Sequence, residues 1–167
     1  MARISAKEAG GERVLAFLDA IAVSEIGKPL LAASDDGYNV LVGSTAAHPH
    51  LIDDYSKHPH VLVELPNLGI KSSAFGRYQF IYRTWEGLHL PDITPANQDR
   101  GCIELIRQCK ALPHVIAGDV RNAFHMCAKT WASLPGAGYG QHENKMEALA
   151  DAYFDALQKY TMKAAPA

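Results

Sequence analysis

Apolar positions recur at helical spacing near the start of the chain. Val14, Leu18, Ile21 and Ala22 follow an i, i+4, i+7, i+8 pattern that predicts an amphipathic helix over residues 12–25. Gly27 and Pro29 then break it. The pattern changes over residues 37–69. There YNVLVG and VLVEL are short β-branched runs bounded by Gly, Pro, Asn and Asp, which predict a small antiparallel β-wing with long loops. Helical spacing returns over residues 81–90, around Trp85, and again after Thr94-Pro95, which reads as an N-cap followed by proline at the first helical position. That second stretch runs through Cys102, Leu105, Ile106 and Cys109. Pro113 opens a short helix that stops at Gly118, and Asp119 caps the next, with Val120, Phe124, Cys127 and Trp131 on one face. A glycine-rich loop, SLPGAGYG, leads to a last helix over residues 142–160, with Met146, Leu149, Tyr153, Leu157 and Tyr160 inward. The tail, 161–167, is expected to fray.

Strands grouped together between helices predict an α+β fold: a mostly helical body with a small antiparallel wing beside a cleft. The length, 167 residues, fits one domain spanning 1–167 with a core of its own. Apolar residues make up 48% and charged residues 20%, which argues against disorder. The net charge of −2 offers no basic footprint for nucleic acid. The opening MARISAKEAGGERVLAF carries charges where a signal peptide needs an apolar stretch, and no run is long enough to insert across a bilayer. Three cysteines, none in a C-x-x-C pair, read as reduced thiols packed as small hydrophobes in a reducing compartment.

Glu25 is the most informative residue. At 100° per residue it falls about 20° from the direction of Val14, inside the apolar stripe. Burial there and the negative end of the helix both raise a carboxyl pKa, which suits a general acid. The alternative is a helix that ends early and leaves Glu25 in solvent. Gly76-Arg77-Tyr78-Gln79 combines close backbone approach with ring and amide groups suited to a sugar, or else forms a turn with Tyr78 in the core. In WASLPGAGYGQ, three glycines surround Tyr139 and could present its ring at a cleft wall; a plain linker is the alternative. His48, His50, His58 and His60 are spaced for one strand face, but Pro49 and Pro59 sit in the gaps, so solvated loops are expected rather than zinc. Asp35-Asp36 and Asp53-Asp54 read as solvated turns.

Taken in order, these segments resemble the lambda-type bacteriophage endolysins, which are lysozyme-like lytic transglycosylases. The likeness runs from about residue 15 to 157. It is carried by AFLDAIAVSE (16–25), GYNVLVG (37–43), DYSKHP (54–59), KSSAFGRYQF (71–80), ALP (111–113) and above all WASLPGAGYGQ (131–141). The resemblance implies a lysozyme-like α+β fold with Glu25 as the single catalytic glutamate. It implies peptidoglycan as substrate, cut between N-acetylmuramic acid and N-acetylglucosamine to leave 1,6-anhydro ends. Tyr55, Ser72, Tyr78, Gln79, Tyr139 and Gln141 fall in the matching segments and would bind the glycan strand. No cofactor or metal is implied. A monomer is expected, held in the cytoplasm of the infected host until a holin-like partner permeabilises the membrane. Val23, Ile26 and Phe75 depart from the family pattern and would reshape the wall around the acid. A hydrolytic muramidase would instead need a second carboxylate, with Asp36, Asp53 and Asp54 as candidates. A non-catalytic wall-binding module would keep Tyr78 and Tyr139 without needing the acid, and a zinc amidase or endopeptidase would need a metal.

Overall fold

In the computed structural model, residues 1–66 and 69–164 are described. Helix α1 (Ala6–Ala9) is a single turn capped by Ser5, whose side chain accepts from the Glu8 N–H. Helix α2 (Glu12–Ile26) follows, and the short α3 (Lys28–Ala32) starts directly after Gly27 with Pro29 in its first turn. The two strands β1 (Val63–Leu65) and β2 (Ile70–Ser72) pair antiparallel, Val63 opposite Ser72 and Leu65 opposite Ile70. Then come α4 (Tyr82–Gly87), α5 (Pro95–Gln108), α6 (Leu112–Ala117), α7 (Val120–Cys127) and α8 (Met146–Ala164).

Helix α2 is the centre of the molecule. Every residue from Val14 to Ala22 is buried, Asp19 among them, so the buried surface is wider than the apolar stripe alone predicts. A helix apolar on nearly all sides must be surrounded. Its most extensive partner is α8, and α1, α5 and α6 also pack on it. Phe17 of α2 stacks on Phe124 of α7 with ring centroids 4.4 Å apart. Arg13 donates to the Ile116 carbonyl at the end of α6, 2.8 Å away, which satisfies a helix-terminal acceptor.

The small antiparallel wing is present as predicted, but its bounds differ. YNVLVG forms isolated bridges rather than a strand: Val40 pairs with Leu51, and Leu41 with Phe75. The second true strand, β2, begins beyond the expected boundary at 69. The reason is that this segment bonds forward to several loops in turn, as when Val42 donates to the Ala74 carbonyl. Residues 67 and 68 of the expected wing, and 165–167 of the expected tail, lie outside the described residues. Within the tail, α8 continues to Ala164 rather than stopping at residue 160. It also starts at Met146, four residues later than predicted. Asp119 and Thr94 stand at their N-cap positions without a capping side-chain bond. Asp92 serves α5 instead, accepting from the Thr94 N–H at 3.0 Å and from Asn97 Nδ2 at 2.8 Å.

Candidate active site

The end of α2 places Glu25 against the segment that follows α7. Ser133 donates its hydroxyl hydrogen to Glu25 Oε1. Ser24 Oγ lies 2.7 Å from Ser133 Oγ. Asn144, just before α8, donates from Nδ2 to Ser24 Oγ at 3.0 Å, and its N–H donates to the Ser133 carbonyl at 2.8 Å. The acid is therefore gripped by a chain of polar groups from three parts of the sequence. Burial pushes its carboxyl from 4.5 up to about 7, and the bonds from Ser133 oppose that rise without cancelling it.

Glu25 opens onto a cleft of about 620 Å³ between the helical body and the hairpin. Leu65, Ile70 and Ser72 of the hairpin form one wall, and Thr130 through Ser133 form part of the other. Gln79, Gln141 and His142 complete its polar lining. Glu25 is the one carboxylate among the described residues that line this cleft.

Of the residues singled out in the sequence, Glu25, Ser72, Gln79 and Gln141 meet in the cleft; Tyr55, Tyr78 and Tyr139 do not line it. Tyr78 is fully buried, and its hydroxyl donates to Asp99 Oδ1 at 2.6 Å. The same carboxylate accepts from the Tyr38 hydroxyl and from the Arg3 and Ile4 N–H groups, so Tyr78 belongs to a core network. The Tyr55 hydroxyl donates to Asp35 at 2.8 Å. Tyr139 is 54% exposed, donates to the Lys129 carbonyl at 2.8 Å, and lies with its ring centroid 5.6 Å from Lys129 Nζ.

The bulky group that Gly76 admits is also part of the core. A Cβ there would come within 2.2 Å of Gln98 Oε1. Gln98 accepts from the Arg77 N–H at 3.0 Å and donates to the Tyr38 and Ile93 carbonyls. Arg77 is buried and pairs with Asp19 at 2.7 Å and Asp36 at 2.8 Å. Asp36 thus serves a structural ion cluster, while Asp53 and Asp54 are exposed and none of the three lines the cleft. The departures at Val23, Ile26 and Phe75 also lie outside the cleft lining. Val23 borders a separate cavity of about 320 Å³, and Phe75 is buried beside His58.

The histidines are not all solvated. His48, His50 and His60 are exposed, but His58 is buried and bonds to the Phe80 carbonyl at 2.9 Å. Among the described residues, no three His, Cys, Asp or Glu side chains gather closely enough to hold a metal ion.

Sequence reasoning missed Ser24, Ser133, Asn144, Trp131 and His142. WASLPGAGYGQ stands out in the sequence for its ring, whereas the contact with the acid comes from its serine. Trp131 donates to the Tyr78 carbonyl at 3.0 Å, fixing that wall to the core. Glu143 accepts from the Gly136 and Gly138 N–H groups at 2.8 and 2.7 Å and ties down the glycine loop. A polar residue in a loop carries no periodic signal, so Ser133, His142 and Asn144 could not be assigned from spacing.

A central buried helix that delivers one carboxyl to a cleft beside a small hairpin is a lysozyme-like α+β arrangement. The lysozyme of bacteriophage lambda, solved in complex with a chitohexasaccharide, superposes with a TM-score of 0.78 at 38% identity, covering 93% of this chain and 97% of that one. Another structure of lambda lysozyme gives 0.71 at 36% identity, covering 96% and 97%. Residues 15–159 match the Endolysin family, and the chain belongs to it. The endolysin of Escherichia phage P2 is 49% identical over 85 residues, 48% of this chain and 52% of that protein. That of Escherichia phage lambda is 44% identical over 87 residues, 50% of this chain and 55% of that protein. The chain thus spans about half the length of the curated relatives it matches.

Proposed function

We propose that this protein cleaves peptidoglycan between N-acetylmuramic acid and N-acetylglucosamine by intramolecular transglycosylation, with Glu25 as general acid and then base. The observation that carries this reading is one carboxyl, held near neutrality at about 7, alone among the carboxylates of the described cleft lining. The similarity to a lysozyme solved with a chitohexasaccharide supports a glycan in that cleft.

Glycosidases that use water generally place two carboxylates about the scissile bond. Here no carboxylate of the wing lines the cleft among the described residues. In the proposed course, Glu25 Oε1 accepts from Ser133 and the acid proton rides on Oε2. That proton passes to the leaving oxygen as the glycosidic bond breaks. Positive charge grows at the anomeric carbon, where the substrate's own N-acetyl group can stabilise it. The Glu25 carboxylate then takes the proton of the sugar's 6-hydroxyl, which closes on the anomeric carbon to give the 1,6-anhydro end. The nucleophile is tethered, so no water has to be positioned. Acid–base transfer contributes roughly 10²–10⁴-fold, and electrostatics and ring positioning supply the rest.

A wall-binding module without catalysis fits less well, because Tyr78 is buried and Tyr139, though exposed, stands outside the cleft lining, so the cleft has neither ring as a sugar platform. In the same reading the chain works as a monomer, waits in the host cytoplasm and reaches the wall through a holin-like permeabiliser. No helix among the described residues is long and apolar enough to cross a membrane. Mass spectrometry of released muropeptides tests the reaction. Anhydro ends, lighter than reducing ends by one water, are expected; reducing ends alone would identify a hydrolase instead.

A further inference from the structure

The polar chain behind Glu25 runs in one direction, and a half-buried residue outside the cleft lining sets it. Asn144 Nδ2 faces three oxygens: the Ser24 carbonyl at 3.1 Å, Ser24 Oγ at 3.0 Å and the Ser133 carbonyl at 3.2 Å. Two of the three are carbonyls, which only accept, so the nitrogen of the amide and not its oxygen lies on this side. The Ser24 carbonyl is among the last four of α2, which lack an intrahelical donor. A serine hydroxyl has one hydrogen to give and two lone pairs to receive with. Asn144 takes one lone pair of Ser24 Oγ. The other group bonded to that oxygen, among the described residues, is Ser133 Oγ at 2.7 Å. The Ser24 hydrogen therefore goes to Ser133, and the Ser133 hydrogen goes on to Glu25 Oε1. In the reverse order Glu25 would donate to Ser133 and Ser133 to Ser24, and the Ser24 hydrogen would be left without an acceptor. Ser24 is buried, so that unmade bond is costly and the forward order prevails.

We infer that Asn144 is a positioning residue: it directs a one-way relay from Asn144 through Ser24 and Ser133 to Glu25, which holds Oε1 as an acceptor and leaves Oε2 to carry the acid proton. The inference rests on the reading of Glu25 as the general acid. Each donor in such a chain polarises the next. Without the Asn144 amide, the Ser24 hydroxyl is free to turn back to the carbonyl one helical turn earlier. Ser133 then has Ser24 Oγ as a second acceptor, and its donation to Glu25 weakens. The ionised carboxylate is less favoured, so Glu25 becomes a weaker acid. The other titratable groups toward Glu25 are His142 in the cleft lining and the buried Cys102 on α5, and neither lies on the relay.

The test titrates the Glu25 carboxyl of the full-length chain by carbon NMR, its resonance identified by loss in Glu25→Gln. Asn144→Leu, which fills similar space without a donor, is expected to raise the midpoint by about 0.5 in pH. Ser133→Ala raises it too. Adding Asn144→Leu to Ser133→Ala is expected to raise it no further, because Asn144 acts through that hydroxyl. A merely structural Asn144 predicts an unmoved midpoint in the single variant, or the same increment in both backgrounds, and either result overturns the relay. Should Asn144→Leu not fold, Ser24→Ala puts the same question: a rise in the wild-type background and none in Ser133→Ala is expected, and no rise, or equal rises, overturns it. No substrate enters this measurement. A wild type that releases only reducing ends while these midpoints move as expected would therefore sink the transglycosylase reading and leave the relay standing.

Discussion

Ser133 donates its hydroxyl hydrogen to Glu25 Oε1 across 108 positions of sequence. This bond joins the last turn of the central helix to the loop after α7, and it bears on a carboxyl that burial holds near neutrality. Replacing Ser133 by Ala removes a donor that favours the ionised form. The carboxyl pKa then rises further, and the alkaline limb of the pH–activity profile moves to higher pH. An unmoved limb, measured with the variant still folded by circular dichroism, would detach Ser133 from the acid.

Glu25→Gln is expected to abolish clearing of purified cell walls while leaving the fold intact. It should also stabilise the protein above neutral pH. A carboxyl raised from 4.5 to about 7 binds more protons folded than unfolded, so its contribution is fully present below 4.5 and is lost as pH rises through 7. The full shift corresponds to a cost of about 3 kcal/mol at pH 8, which Gln does not incur. Urea melts of both proteins at pH 4 and pH 8 check this: the stability gap should open only at the higher pH.

His58 carries the opposite sign. Its Nδ1 accepts from the His60 N–H at 3.0 Å, so Nε2 donates to the Phe80 carbonyl and the ring is neutral. Burial holds its pKa below 6.5. The unfolded chain therefore takes up protons first as pH falls through 6.5, and stability declines from there down to the folded pKa. Read in the Glu25→Gln background, which removes the opposing slope, His58→Gln should flatten the pH dependence of the urea midpoint between pH 5 and 7.

Asp19→Ala is expected to cost about 3–5 kcal/mol, because it strips Arg77 of a partner 2.7 Å away in the interior. Asp36 remains paired with Arg77 and keeps the loss toward the lower figure. Asp19 also accepts from the Tyr160 hydroxyl at 3.1 Å, so the same change loosens α8 from α2. Denaturant unfolding measures the loss; a change under about 1 kcal/mol would mean that water replaces the carboxylate.

Gly76→Ala should destabilise strongly, by roughly 3 kcal/mol or more, since the backbone is left-handed there at φ +80° and the new methyl would strike the amide of Gln98. Gly140 has φ +70°, but a methyl added there would meet nothing within 4 Å, so Gly140→Ala should cost only about 1–2 kcal/mol. Thermal melts of the pair separate backbone strain from the close approach to Gln98.

The sequence by itself determined most of the helices, though not the short α1 and α3. Periodicity located α2, α5, α6 and α7 to within a few residues, because glycine and proline punctuate them and apolar spacing survives any packing arrangement. It also pointed to Glu25, a carboxylate out of place on an apolar face at a helix end. Tertiary structure decided what surrounds that acid. Tyr78 and Tyr139 look equally fit for a sugar in the sequence, yet only long-range packing could send the first to Asp99 in the core and the second to Lys129 at the surface. Ser133 meets Glu25, and Asn144 meets Ser24, because α2 is enclosed by elements far along the chain, and no local pattern encodes those meetings. The small antiparallel sheet is there as predicted, but its bounds differ for the same reason: β-branched runs mark residues able to extend, but a strand exists only where a partner edge lies in register, and here that edge runs from Ile70 to Ser72.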